Sequence, residues 1–138
     1  MSFDVKKFGP IMGVGFTLTN ATTGNSNSDL KFAGGENTLF VAPKAGSIVG
    51  ISAACQAITA GTITLKAHIA STEVAQTGAP VPVLSSTADT NGVYAVADIG
   101  TVRFAAGDTL GISAVSTTTL DPTNTLDVEA TLFIQLDI

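Results

Sequence analysis

Ionised side chains are scarce in this chain, and so are the residues that usually carry chemistry. Only 12% of its 138 residues are Asp, Glu, Lys or Arg, against a usual share of about 25%. There is one histidine, one cysteine, one tyrosine and no tryptophan. A lone Cys55 excludes an intramolecular disulfide. It sits in the apolar run Ile51-Ser52-Ala53-Ala54-Cys55-Gln56-Ala57, where a thiol behaves as a small buried hydrophobe. One His and one Cys are too few ligands for a transition-metal site of the usual kind. A Ser-His-Asp arrangement would have to use His68, and no Gly-x-Ser-x-Gly elbow is present. Asp89, Asp98, Asp108, Asp121 and Asp127 lie near expected strand ends but lack EF-hand spacing. The expectation is therefore a non-enzyme with no cofactor and no metal site, calcium alone staying open because carboxylates and carbonyls suffice for it.

Basic charge is the scarcest of all. Lys6, Lys7, Lys31, Lys44, Lys66 and Arg103 are scattered, and the net charge is −5. Nucleic-acid binding needs clustered cations to neutralise phosphates, so no nucleic-acid partner is expected. A basic packaging arm is likewise missing. No apolar run is long enough to cross a bilayer as a helix, so no membrane partner is expected. Met1-Ser2-Phe3-Asp4-Val5-Lys6-Lys7 lacks the apolar core of a signal peptide, which makes cytoplasmic synthesis the expectation.

What the chain does have is alternation. In Thr62–Ile69, Ile63, Leu65, Ala67 and Ile69 share one face, while Thr62, Thr64, Lys66 and His68 share the other. Near the C-terminus Val128, Ala130, Leu132, Ile134, Leu136 and Ile138 point one way. Asp127, Glu129, Thr131, Gln135 and Asp137 point the other, and only Phe133 breaks that polar face. A run of this length, above the average strand of about 5–6 residues, suits a central place in a sheet. Shorter strands are predicted at Gly15–Asn20, Thr38–Ala42, Ser47–Ala54, Val93–Ala97, Thr101–Ala105 and Thr109–Ser116. Asn91-Gly92 suits a hairpin turn, Asp121-Pro122-Thr123-Asn124 a type I turn, and Gly78-Ala79-Pro80-Val81-Pro82 an extended connection. A short helical turn within Ser52–Ala60 stays open.

The fold class expected is all-β: an antiparallel β-sandwich of jelly-roll type over residues 37–138, with an N-terminal arm and polar linker over residues 1–36. The linker is the low-complexity stretch Asn20–Asp29. Before it, Phe3, Val5, Phe8, Ile11, Met12, Val14 and Phe16 form an apolar segment. Burying each Phe stabilises by roughly 1.5–3 kcal/mol, so this segment docks. It is either a first strand on its own domain or an arm laid on a neighbour.

Two turn motifs punctuate the chain: Phe40-Val41-Ala42-Pro43 with Ala45-Gly46-Ser47-Ile48, and Phe104-Ala105-Ala106-Gly107-Asp108-Thr109-Leu110. With the closing hydrophobic strand they resemble the trimeric jelly rolls of the tumour-necrosis-factor and complement type, over about residues 38–138. The resemblance implies that Pro43 and Gly46 hold one turn and Gly107 with Asp108 the other. Ile48 departs from the pattern, since the family often has an aromatic there. Unsecreted acidic chains of this kind, rich in Ala, Thr and Gly, are similar to bacteriophage decoration (cement) proteins, which sit as trimers on a capsid.

That resemblance implies a virion structural protein on the capsid exterior, with itself (as a homotrimer) and a major capsid protein as partners. Candidate capsid contacts are Phe3, Phe8, Ile11, Met12 and Phe16. Candidates for the trimer interface are His68, Tyr94 and Phe133, large groups on otherwise polar faces. Scarce charge fits such burial, because charge is depleted at interface centres. The alternative is a receptor- or glycan-binding fibre tip using Tyr94, Asp121 and Asn124. The shortage of aromatics counts against it, since sugar sites lean on stacking.

Overall fold

Alternating side chains become paired strands throughout this protein, whose structure is a computed structural model. It describes residues 8–24, 28–32, 35, 37–70, 72–73, 78–86 and 92–138, excluding the side chains of residues 8, 72 and 73. Phe3, Asp89, Asn91 and the side chain of Phe8 lie outside the described residues.

Among the described residues the elements in chain order are β1 (Phe8–Ala21), β2 (Ser28–Asp29), β3 (Lys31–Phe32), β4 (Phe40–Val41), β5 (Gly46–Ala54) and β6 (Thr62–Ile69). They continue with β7 (Thr72–Glu73), β8 (Val83–Ser85), β9 (Gly92–Val96), β10 (Val102–Phe104), β11 (Thr109–Ser116) and β12 (Leu126–Asp137). All form two antiparallel sheets, and no described residue is helical. The first sheet runs β3–β1–β12–β5, with β9 and β10 sharing the far edge of β5. The second is centred on β11 and β6; β2 and β4 flank β11, while β7 and β8 flank β6. The chain changes sheet at every connection from β1 to β6 and again at β8–β9, β10–β11 and β11–β12, a wrapping consistent with a jelly roll.

The sheets pack face to face and bury the apolar half of each pattern. Ile63, Leu65 and Ala67 of β6 meet Leu110, Ile112 and Ala114 of β11 on one side of the core; Val128, Ala130, Leu132 and Ile134 of β12 line the other. β12 is central, as its length suggested, between β1 and β5. Ile138 at its end is exposed. Residues 8–21 of the apolar N-terminal segment are a first strand of this same domain, paired along β12, with Val14 and Phe16 in the core. Strand β1 is longer than the predicted Gly15–Asn20, because the glycines at its start read as breakers although the backbone carries on through them.

The two turn motifs meet. Ala42 N–H donates to the Asp108 carbonyl at 2.8 Å, and Gly107 N–H donates to the Ala42 carbonyl at 2.8 Å. Gly107 has a φ of 86°, which only glycine adopts freely, and Asp108 accepts the Ala105 N–H at 2.8 Å through its own carboxylate. Gly46 has a different role from the turn expected of it. It opens β5, where a Cβ would press on the Gln135 carbonyl and stand 2.9 Å from Phe104 Cζ. The Asp121–Pro122 peptide is cis, in place of the expected type I turn. The chain between β5 and β6 has no helical turn and is fixed by an Ala60–Asp121 bridge.

Candidate functional site: the outer face of the first sheet

Register builds the site. With the inward residues of the first sheet committed to the core, the outward ones fall into rows across its strands. One row reads Gly13 (β1), Phe133 (β12), Gly50 (β5) and Val96 (β9). The next reads Gly15, Thr131, Ser52 and Tyr94. Beyond it stand Thr17, Glu129, Ala54 and Gly92. Phe133 therefore has a glycine on each flank, and its ring lies over Gly13.

A one-residue bulge shifts the register between Phe133 and Ile134, leaving Val49 unpaired opposite β12. Its side chain joins Ile11, Phe133, Tyr94, Val96 and Ala97 around an apolar groove of about 470 Å³. Three of these walls stand out in water: Tyr94 is 79% exposed, Val96 71% and Ile11 56%. Isolated exposed apolar residues need no explanation, but a contiguous set on one face marks an interaction surface. Polar groups stand farther out on the same sheet. Glu129 lies in the row beyond Tyr94; on the other side of the Phe133 row, Arg103, in register with Ser47, makes a two-armed pair with Asp137, one arm being Nη1 to Oδ1 at 2.9 Å. This pair holds the Asp137 carboxyl below its ordinary range, chiefly through the hydrogen bond from Arg103.

Of the residues singled out in the sequence, Tyr94 and Phe133 share this face. His68 does not. It lies on β6 in the second sheet, where its Nε2 is 2.6 Å from Ser113 Oγ. Ser113 is fully buried and His68 only partly so, and the contact ties β6 to β11. Ile11 lines the groove, and Met12 is partly exposed beside it in sequence. Phe16 is 1% exposed, stacked against Phe32 in the core with ring centroids 5.8 Å apart, and presents no surface. The Asp121 carboxylate accepts the Thr59 hydroxyl at 2.5 Å, and Asn124 N–H donates to the Ala21 carbonyl; neither lines the groove beside Tyr94. Cys55, half-buried after β5, has its thiol pushed up by burial. Among the described residues no three His, Cys, Asp or Glu side chains converge on a point.

Sequence reasoning missed Gly13, Gly15, Gly50, Val49 and Val96. Each is unremarkable in its own strand, and only the pairing of β1, β12, β5 and β9 places them together.

No protein-family model matches this chain, and no curated protein matches it. Among solved structures, a chain of the cyanophage Pam1 capsid asymmetric unit superposes with a TM-score of 0.54 at 12% identity, covering 99% of this chain and 91% of that one. At such identity the likeness is one of fold.

Proposed function

We propose that this chain is a structural protein of a bacteriophage virion that associates with itself, as a homotrimer, through the outer face of its first sheet. The observation that carries the reading is the uncovered groove of Ile11, Val49, Tyr94, Val96 and Phe133 on a glycine floor. A bare backbone surface lets a second chain approach closely, and three prominent apolar side chains supply the driving force on contact. The shared fold with a chain of the Pam1 capsid asymmetric unit supports a place in a phage shell.

The finer reading is a decoration protein on the capsid exterior, bound to the major capsid protein. Its action is passive. Each copy buries apolar and hydroxyl-bearing surface against its mates and the shell, so that internal pressure has more contacts to break. Phe3, Phe8, Ile11 and Met12 remain the proposed capsid contacts; Phe16 is given to the core. No step of this role needs catalysis.

The test is molar mass in solution together with co-sedimentation on purified phage heads. The expected result is three times the chain mass and saturable binding. A monomer that stays in the supernatant at all concentrations would defeat the proposal.

A further inference from the structure

An edge strand is where a sheet can take on another, and the edges of this sandwich are unequal. The first sheet ends in β3 on one side and in β9 and β10 on the other; the second ends in β2 and β4, and in β7 and β8. Apart from β9, these strands are two or three residues long. In the first sheet β3 carries Lys31 and β10 carries Arg103. Short length and a basic side chain are usual protections against pairing with another chain. β9 has neither. It runs for 5 residues, Gly92-Val93-Tyr94-Ala95-Val96, without charge, proline or bulge.

Hydrogen bonding fixes which way the backbone of β9 looks. Ala97 N–H donates to the Val49 carbonyl at 3.0 Å, and Val96 stands opposite Gly50. Backbone groups alternate in direction along an antiparallel strand. Val93, Ala95 and Ala97 therefore direct N–H and C=O to β5, while Gly92, Tyr94 and Val96 turn theirs away from it. No described residue meets those outward groups with its own backbone. Gly92, Tyr94 and Val96 are also the exposed positions of the strand.

We infer that a second copy of this chain covers this edge: two β9 strands pair antiparallel about a twofold axis at Tyr94, joining the first sheets of both copies into one. In that register Tyr94 exchanges backbone bonds with its own counterpart, and Gly92 exchanges them with Val96 of the second copy. Every outward N–H and C=O of the strand is then answered. The side chains suit the same register. A twofold sets the central residue against its own copy, where a charge would repel itself; here the two are Tyr94 rings, a favourable cross-strand pair. Val96 meets a glycine and finds room. The contact is isologous, goes beyond the threefold association proposed for the face and does not depend on it. Twofold and threefold contacts together close a dihedral hexamer.

The experiment is sedimentation equilibrium over a wide concentration range on the wild type, Gly92→Ala and Gly92→Pro. Gly92 does not line the groove, and a Cβ there would meet nothing within 4 Å, so neither change touches the face contact. Proline is compatible with the first residue of a strand when its nitrogen looks away from the ladder. The wild type shows a step that doubles its mass as concentration rises, from trimer to hexamer, or from monomer to dimer if the face contact fails. Gly92→Ala keeps this step. Gly92→Pro weakens it at least tenfold, because the twofold loses a donor at each end. A wild type without the doubling step overturns the edge pairing and leaves the trimer standing. So does a step that the alanine and proline variants keep or lose alike. Should Gly92→Pro fail to fold, amide exchange of the wild type decides: the Tyr94 and Val96 amides slow across the doubling step, and unchanged exchange refutes the pairing.

Discussion

Gly13 faces Phe133 across the β1–β12 ladder, and a methyl group placed on the glycine would stand 3.5 Å from Cε1 of the phenyl ring. Gly50 faces the same phenylalanine from β5. The ring covers the backbone at Gly13, an arrangement that offsets the poor strand propensity of glycine. The result is a shallow floor where the sheet would otherwise carry side chains at Gly13, Gly15 and Gly50. The glycines of this chain therefore have distinct jobs that substitution separates.

Gly15 and Gly46 are the contrasting pair. A Cβ on Gly15 would meet nothing within 4 Å, so Gly15→Val is expected to leave the melting temperature of the isolated chain unchanged or slightly raised, within about 0.5 kcal/mol. It should still weaken association, since the added bulk stands on the floor of the proposed interface. Gly46→Ala drives a methyl into the Gln135 carbonyl and to 3.0 Å from Leu136 Cα. That overpacking against backbone is expected to cost about 3 kcal/mol, visible as a melting point lower by roughly 10 °C. A Gly15→Val chain that unfolds as readily as Gly46→Ala would refute this division.

Val96→Glu tests the driving force. The side chain is so exposed that a carboxylate there costs the monomer little, yet it stands in the wall of the groove. Self-association should fall at least a hundredfold, because a charge would have to lose its water on contact. Association of the wild type, resting on apolar burial, should be nearly insensitive to NaCl between 0.05 and 0.5 M (roughly 14 Å to 4 Å of screening length). Analytical ultracentrifugation across that range decides both.

Much of this architecture was legible from alternation alone. The faces of β6 and β12 follow directly from their period of two, and the predicted strand Thr109–Ser116 is β11 residue for residue. The site was only half legible. Tyr94 and Phe133 stood out as bulky groups on polar faces, and the same rule put forward His68. Period-two reasoning tells which side of its own strand a residue takes; it does not tell which sheet the strand joins. His68 lies in the other sheet for that reason. Gly13, Gly50 and the bulged Val49 were invisible because their importance lies in register across three strands, and the bulge itself has no local sequence signal. Phe16, apparently free for an external contact, is buried because β1 runs on through Gly13 and Gly15 and turns Val14 and Phe16 inward.

Acid should act through Asp137. The Arg103 guanidinium hydrogen-bonds this carboxylate and, with a smaller contribution from the charge of Lys44, favours its ionised form, so its folded-state pKa lies below the ordinary value. A depressed carboxylate pKa contributes stability that is fully present above the unfolded pKa of about 3.9 and is lost as pH falls through the folded value. Comparing the wild type with Asp137→Asn, the wild type should be the more stable from neutral pH down to about pH 5. The gap should then close as the solution is acidified further. Both partners touch solvent, so the gap is modest and shrinks with added salt. Thermal melts of the two chains from pH 7 to pH 2 give the answer. A difference that widens on acidification would be the wrong sign for this pair.

Leu132 and Phe133 are neighbours in sequence that look into different worlds, and substituting each with alanine separates folding from assembly. Leu132 is fully buried, in register with Val14 on one side and Ile51 on the other. Leu132→Ala removes a core side chain from between the sheets and should destabilise by about 2–5 kcal/mol, the range for buried leucines whose surroundings relax only in part. Phe133 points outward and is half-buried, its ring against Gly13. Phe133→Ala uncovers that backbone and should cost the isolated chain only about 1–2 kcal/mol. It also removes one of the two aromatic rings from the groove, so the loss of self-association should far exceed the loss of stability. In urea melts and sedimentation run on the same samples, Leu132→Ala should shift the unfolding midpoint, with association following only as the folded fraction declines. Phe133→Ala should abolish association while most of the chain is still folded. If the two variants lost folding and assembly in the same proportion, the outer face would have no role separate from the core it covers.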